Sequence, residues 1–160
     1  MLIYLLRHGI AEDSGPGVPD SKRQLTPEGR KKLGLVLKLA KNAGVTPELI
    51  VSSPLVRAVQ TAEIAREILG VEAAVQESPL LIPEGNPREV WAELQGLRNL
   101  EAVLLTGHEP LMSTLAASLL GSPSLLLHMR KGAMVCIEME NMRGEPHGIL
   151  QWMALARMGG

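Results

Sequence analysis

Met1-Leu-Ile-Tyr-Leu-Leu6, followed at once by Arg7-His8-Gly9, is the stretch on which the reading of this sequence turns. Six apolar residues without alternation predict a strand covered on both faces, as in a parallel sheet sandwiched between helices. The run is far shorter than the roughly 18 residues of a membrane span. It also lacks the basic flank of a signal peptide, so the chain is expected to be cytoplasmic. Beyond it, Gly9, Gly15, Pro16, Gly17 and Pro19 make Arg7 to Leu25 a loop. Thr26-Pro27-Glu28-Gly29 then opens a helix: Thr26 suits the N-cap, Pro27 the first helical position, and Glu28 the positive end of the dipole. That helix runs to about Asn42, before Gly44.

The same alternation continues down the chain. Leu49 to Ser53 reads as a second buried strand, and Pro54 begins a helix whose apolar face is Leu55, Val59, Ala62, Ile64 and Ala65, ended by Gly70. Ala73 to Gln76 is a short extended segment, and Ser78 to Pro87 a loop. Arg88 to Leu97 is a helix, Ala102 to Thr106 a third buried strand, and Pro110 to Leu120 a further helix closed by Gly121. Ala133 to Met139 and Gly148 to Ala154 flank a turn-rich segment, which is a hairpin signal. This order predicts an α/β fold: a three-layer α/β/α sandwich with a mostly parallel sheet and an antiparallel edge, in one domain over residues 1–160.

Composition narrows the functions. The 160 residues carry 16 Lys and Arg against 17 Asp and Glu, a net charge of −1, which argues against a general nucleic-acid binder. Aromatic residues are 2%, with no Phe, so platforms for stacking bases are missing. Cys136 stands alone, which excludes an intrachain disulfide. With no long apolar surface stripe, a monomer is expected.

Each of the three buried strands ends in unusual polar residues: Arg7-His8-Gly9, then Ser52-Ser53-Pro54 with Arg57 close behind, then Thr106-Gly107-His108-Glu109-Pro110. Ligands of open α/β sheets bind outside the carboxyl ends of the strands, so these clusters share one edge. Arg7 and Arg57 offer planar forks for phosphate oxygens. His8 and His108 offer a nucleophile and a donor, Gly9 allows close approach of an anion, and the helix starts add N–H groups. Together they describe a phosphate pocket containing a nucleophile. Two histidines could suggest a metal, but the arginines repel a cation and no carboxylate or cysteine completes a ligand set. No cofactor is called for.

Leu6-Arg7-His8-Gly9, Ser53 to Glu63, and Thr106 to Pro110, in this order and at strand ends, resemble the histidine phosphatase superfamily. The short chain and Arg23-Gln-Leu-Thr-Pro-Glu-Gly29 are similar to its SixA branch, the phosphohistidine phosphatases. The resemblance covers roughly Met1 to Leu120, with the terminal hairpin adding little, and implies the fold of that superfamily without a large cap. It implies that His8 attacks phosphorus and is transiently phosphorylated, that Arg7, Arg57 and His108 hold the phosphoryl oxygens, and that water releases inorganic phosphate. The implied substrate is phosphohistidine on a protein domain. A small sugar or nucleotide phosphate ester is the enzymatic alternative, and a phosphate-binding module without turnover the alternative of another class.

His8 must be neutral to attack, which neighbouring guanidinium charges favour. Arg23 reads equally as a hand over the pocket and as a solvated loop charge. Arg57 has a competing reading as a surface residue paired with Glu63 or Glu48. Larger superfamily members carry an acid that protonates the leaving group; here its place falls near Leu80, which is no acid. Glu77 and Glu84 flank that place, and Asp13, Asp20 and Glu109 lie in other loops, Glu109 equally at home as a helix-dipole partner. His128 and His147 have no motif around them, and Lys31 and Lys32 read as a solvated helix face.

Overall fold

The computed structural model describes residues 1–156; residues 157–160, the end of the expected domain, lie outside the described residues. Six strands form one sheet: β1 (Leu2–Arg7), β2 (Leu49–Ser52), β3 (Gln76–Glu77), β4 (Ala102–Gly107), β5 (Met134–Glu138) and β6 (Ile149–Ala154). Their order is β3-β2-β4-β1-β5-β6. β3, β2, β4 and β1 pair in parallel, and β5 and β6 add the antiparallel edge. The central strands are short apolar runs because both faces are covered. Helices α1 (Pro27–Asn42) and α2 (Val56–Leu69) pack on the face of Tyr4, Leu6, Ile50 and Leu104. Helices α3 (Pro87–Gly96) and α4 (Leu111–Leu119) pack on the face of Ile3, Leu5, Val51 and Leu105. Residues i and i+1 of each strand thus serve different cores, which is the physical content of an unbroken apolar run.

The sequence places the elements well and some of their ends less well. α2 begins at Val56 rather than Pro54, because Leu55 is extended and its N–H is taken by the Ser53 hydroxyl. The delay of two residues places Arg57 in the first helical turn. The extended segment expected over Ala73 to Gln76 is only the two-residue β3, which lies at its far end and shares only Gln76 with it, and the loop from Ser78 holds a 3₁₀ turn at Pro79–Leu81. α4 starts at Leu111, one residue after Pro110.

Two residues fix α1 against the loop that follows β1. Thr26 accepts the Gly29 N–H at 2.9 Å, and its backbone N–H donates to the Ile10 carbonyl at 2.9 Å. Thr26→Ala is expected to lower stability by about 1 kcal/mol, read as an earlier urea midpoint at unchanged slope. Gly29 matters more. A Cβ there would run into the backbone carbonyl and nitrogen of Ile10, neither of which is a flexible side-chain end. Gly29→Ala is expected to cost about 3 kcal/mol or more and to disturb His8 two residues from Ile10, measured as paired loss of urea midpoint and activity.

Candidate active site

Register brings the polar clusters together. Arg7 lies opposite Gly107 and Ser52 opposite Thr106, so β1, β4 and β2 end level with one another. The backbone pairing continues one residue past each strand: His8 N–H donates to the Gly107 carbonyl and Ser53 N–H to the Thr106 carbonyl, both at 3.0 Å. His8, Ser53 and His108 therefore leave one sheet edge side by side. The His8 and His108 ring centroids are 5.1 Å apart, and His108 Nε2 meets Ser53 Oγ at 2.8 Å.

His8 is held in one tautomer. Its Nδ1 lies 2.7 Å from the Gly9 carbonyl, which can only accept, so Nδ1 carries the proton and Nε2 keeps its lone pair. Burial, aided by the charges of Arg57, Arg7 and Lys131 and opposed by the Gly9 bond, pushes the His8 imidazole down to about 4. The expected role of the arginines is thus real but second to burial. His108 is pushed down to about 3, by burial first and then by the neighbouring His8 and the arginines. Both rings are neutral at pH 7.

These shifts carry a sign for stability. The folded rings bind protons well below the ordinary value of 6.5, whereas the unfolded chain binds them near it. Stability is therefore full above pH 6.5 and falls as the pH drops towards 4, by at most about 1.4 kcal/mol per pH unit for each ring. Urea unfolding at pH 7 and pH 5 is expected to differ by up to about 4 kcal/mol, and His8→Asn/His108→Asn to lose most of that difference.

The arginines arrive from different elements. Arg7 ends β1; its Nη1 donates to the Met129 carbonyl at 2.8 Å, and burial lowers its pKa. Arg57, 4% exposed, donates through Nη1 to the Asp20 carbonyl and through Nη2 to the Asp20 carboxylate, at 2.9 and 3.2 Å. Its partner is therefore Asp20, from the loop after β1, and not Glu63 or Glu48; the Glu48 carboxylate instead takes the Glu101 N–H. Arg23 binds the same Asp20 carboxylate and the Glu12 carbonyl, so it braces this loop over Arg57.

Three buried side-chain nitrogens among the described residues have no hydrogen-bond partner: Arg7 Nε, Arg57 Nε and His108 Nδ1. An orphaned buried donor costs about 1–3 kcal/mol, and all three belong to this one cluster. His108 joins the donors if Ser53 O–H, itself accepting from the Leu55 N–H, donates to Nε2 and leaves the proton on Nδ1. An oxyanion with several acceptor oxygens suits such a set, and a cation does not.

Gly9 is small for a reason other than anion approach. Its N–H donates to Thr61 Oγ1 and its carbonyl holds His8, so neither group is spare. A Cβ on it would lie 3.3 Å from the Gly29 carbonyl, so the glycine lets the loop press against α1. Sequence reasoning passed over the supporting residues. Thr61 bonds both Gly9 N–H and the Arg57 carbonyl, and Gln60 accepts the Leu25 N–H. Their one available signal was two polar residues a turn beyond Arg57 on a face that packs inward. The segment before β5 was also passed over: Gly132, in the left-handed region at φ 77°, donates to the Arg7 and His8 carbonyls. The segment leading into β5 thus clamps the end of β1.

Among the carboxylates weighed as an acid, Asp13, Glu77 and Glu84 are exposed. Glu109 accepts the Ser113 N–H at the start of α4, the dipole role. Asp20 alone touches the cluster. Partial burial raises its pKa, but the bonds and charges of Arg23 and Arg57 outweigh this and hold it below the ordinary value. Leu80 is half-buried in the 3₁₀ turn. No group of three or more potential metal ligands occurs among the described residues.

Comparison with known proteins agrees with this geometry. Residues 3–81 match the histidine phosphatase superfamily (branch 1). The chain is 34% identical over 121 residues to the phosphohistidine phosphatase SixA of Escherichia coli (strain K12), covering 74% of each chain. It is 32% identical over 154 residues to an uncharacterised protein of Picosynechococcus sp., covering 92% of this chain and 90% of that one. A structure of the protein histidine phosphatase SixA complexed with tungstate superposes with a TM-score of 0.87 at 27% identity, covering 99% of both chains. That coverage extends the likeness past Leu120 through the hairpin. With its strand-end histidines, its two arginine forks and these relatives, the chain belongs to the histidine phosphatase superfamily.

Proposed function

We propose that this phosphatase removes the phosphoryl group from phosphohistidine on a protein, through a phosphohistidine at His8. The observation that carries the reading is the set of three orphaned donors around a neutral, tautomer-fixed histidine. Arg7, Arg57 and His108 hold the phosphoryl oxygens while His8 Nε2 attacks phosphorus in line with the departing nitrogen. As the bond forms, positive charge develops on the His8 ring, and the Gly9 carbonyl bound to Nδ1–H stabilises it. The product is an Nε2-phosphorylated, Nδ1-protonated ring, from which water takes the phosphoryl group and regenerates neutral His8. Phosphoryl transfer depends chiefly on positioning and charge stabilisation, which these residues supply.

The leaving group decides between substrates. An alkoxide must be protonated at the oxygen that departs, and none of the weighed carboxylates hydrogen-bonds to His8 or His108. A phosphohistidine leaves as neutral imidazole once its far ring nitrogen is protonated from solvent, with no acid at the breaking bond. The relatives support the same reading: one is named a phosphohistidine phosphatase, and another is complexed with tungstate, a tetrahedral oxyanion. The test is kcat/KM on a phosphohistidyl protein and on an alkyl phosphate such as glycerol 3-phosphate, whose alkoxide must be protonated as it leaves, with chelator present. A preference for the phosphohistidyl protein of about tenfold or more is expected. Preference for the ester transfers the substrate to small metabolites, and phosphate binding without release from either would make the chain a binding module.

A further inference from the structure

Beside the catalytic cluster lies a cleft of about 570 Å³ whose wall begins at Arg7 itself and continues through Lys32, His128, Arg130 and Lys131. None of its lining residues is acidic. Lys32 has an ion-pair partner in Glu28, at 2.9 Å on its own helix; Arg130 and Lys131 are exposed and have none among the described residues. A chain of net charge −1 thus concentrates cations at one place, in a cleft that shares Arg7 with the proposed catalytic cluster. The loop that delivers His128, Arg130 and Lys131, Gly121 to Gly132, also carries Leu126 at 93% exposure and Leu125 at 43%. A small metabolite gives no use for an exposed leucine on that loop, whereas a protein surface does.

We infer that this cleft is a docking surface for carboxylates that flank the phosphorylated side chain on a protein partner. The inference rests on the proposed protein substrate and names the partner's chemistry: an acidic surface around the phosphate, with apolar contact at Leu125 and Leu126. Guanidinium and ammonium groups outside the reacting centre steer and hold such a surface without taking part in phosphoryl transfer. The geometry also sets the direction. The cleft is lined by Arg7, by Lys32 of α1 and by the segment between α4 and β5, so the flanking acids lie there and not over Arg57, which the Asp20 loop covers.

The test uses synthetic phosphohistidine peptides of equal length, one with glutamates and one with lysines around the phosphorylated residue, and the matching phosphotyrosine pair. For the wild type, kcat/KM is expected to favour the acidic peptide by about tenfold at low salt, and the ratio to approach one at high salt. Lys32→Glu/Arg130→Glu is expected to abolish or invert the ratio; because two peptides are compared on one protein, a general loss of fold cancels. A wild-type ratio near one, or a ratio that survives the double variant, overturns the docking surface. So does a small two-phosphate ester turned over better than the acidic peptide, since the cleft would then hold a second phosphate. Turnover of phosphotyrosine peptides alone, with the acidic preference kept, upholds the surface and overturns the phosphohistidine reading instead.

Discussion

His8→Ala is expected to reduce phosphate release by about 10⁴-fold or more and to abolish the phosphoenzyme. The expectation rests on what no neighbour can replace. His108, the nearest second imidazole, is engaged through Nε2 with Ser53, and its remaining nitrogen is assigned the task of donating to the oxyanion. Asp20 is bound to two guanidiniums. Without His8, water would have to attack the substrate directly, in a pocket where the described side chains offer it no base. Rapid-quench labelling with a radioactive phosphoryl donor should give an acid-labile adduct on the wild type and none on the variant. The arginines and His108 remain, so the variant is expected to bind inorganic phosphate nearly as well as the wild type. Undiminished turnover with His8→Ala would reassign the nucleophile. The variant also removes a buried ring held neutral against its ordinary pKa of 6.5, so its stability should fall less on acidification than that of the wild type.

Much of this site was legible because its chemistry sits where secondary structure changes. An apolar strand that ends in Arg7-His8 announces both a buried element and a reason to leave it, and Thr106-Gly107-His108 repeats the signal. Strand order brings the two together, since β1 and β4 are neighbours. What was illegible has a common cause: it depends on backbone groups or on chain reversals. The carbonyl of Met129 holds Arg7 from 122 residues away, and a carbonyl leaves no mark in the sequence. Asp20 reaches Arg57 only because the Gly- and Pro-rich loop folds back across the edge, so the competing reading that paired Arg57 with Glu63 or Glu48 does not hold. Gly9 invited a reading from its neighbour His8, whereas its contact with Gly29 is set by how α1 leans on the sheet. The start of α2 was misplaced for a similar reason: the Ser53 hydroxyl caps Leu55, and Pro54 fits the turn that precedes the helix.

Arg7→Ala is expected to lower kcat/KM by about 10³- to 10⁵-fold, the range an arginine contributes when it stabilises a transferring phosphoryl group. Arg7 has no carboxylate bound to it; its hydrogen bond is to the Met129 carbonyl, and Nε is orphaned. Its charge is thus uncompensated by contact, unlike that of Arg57, which Asp20 partly neutralises. Removing Arg7 therefore removes a guanidinium that no carboxylate bonds to, although Arg57 is the larger of the two charges acting on both histidine rings. It also removes one of the charges that keep His8 neutral, but burial is the larger cause, so the nucleophile should stay deprotonated at pH 7. The loss is then expected in transition-state stabilisation and not in the acid limb of the pH profile. Arg7→Lys separates charge from geometry. An ammonium restores a point charge but not the fork that spans Met129 and the oxyanion together, so it should recover only about a tenth or less of the activity. If lysine restores full activity, Arg7 acts as a point charge. If alanine leaves kcat unchanged and raises only KM, Arg7 binds the ground state and the transition state alike, and the charge stabilisation assigned to it belongs to Arg57 and His108.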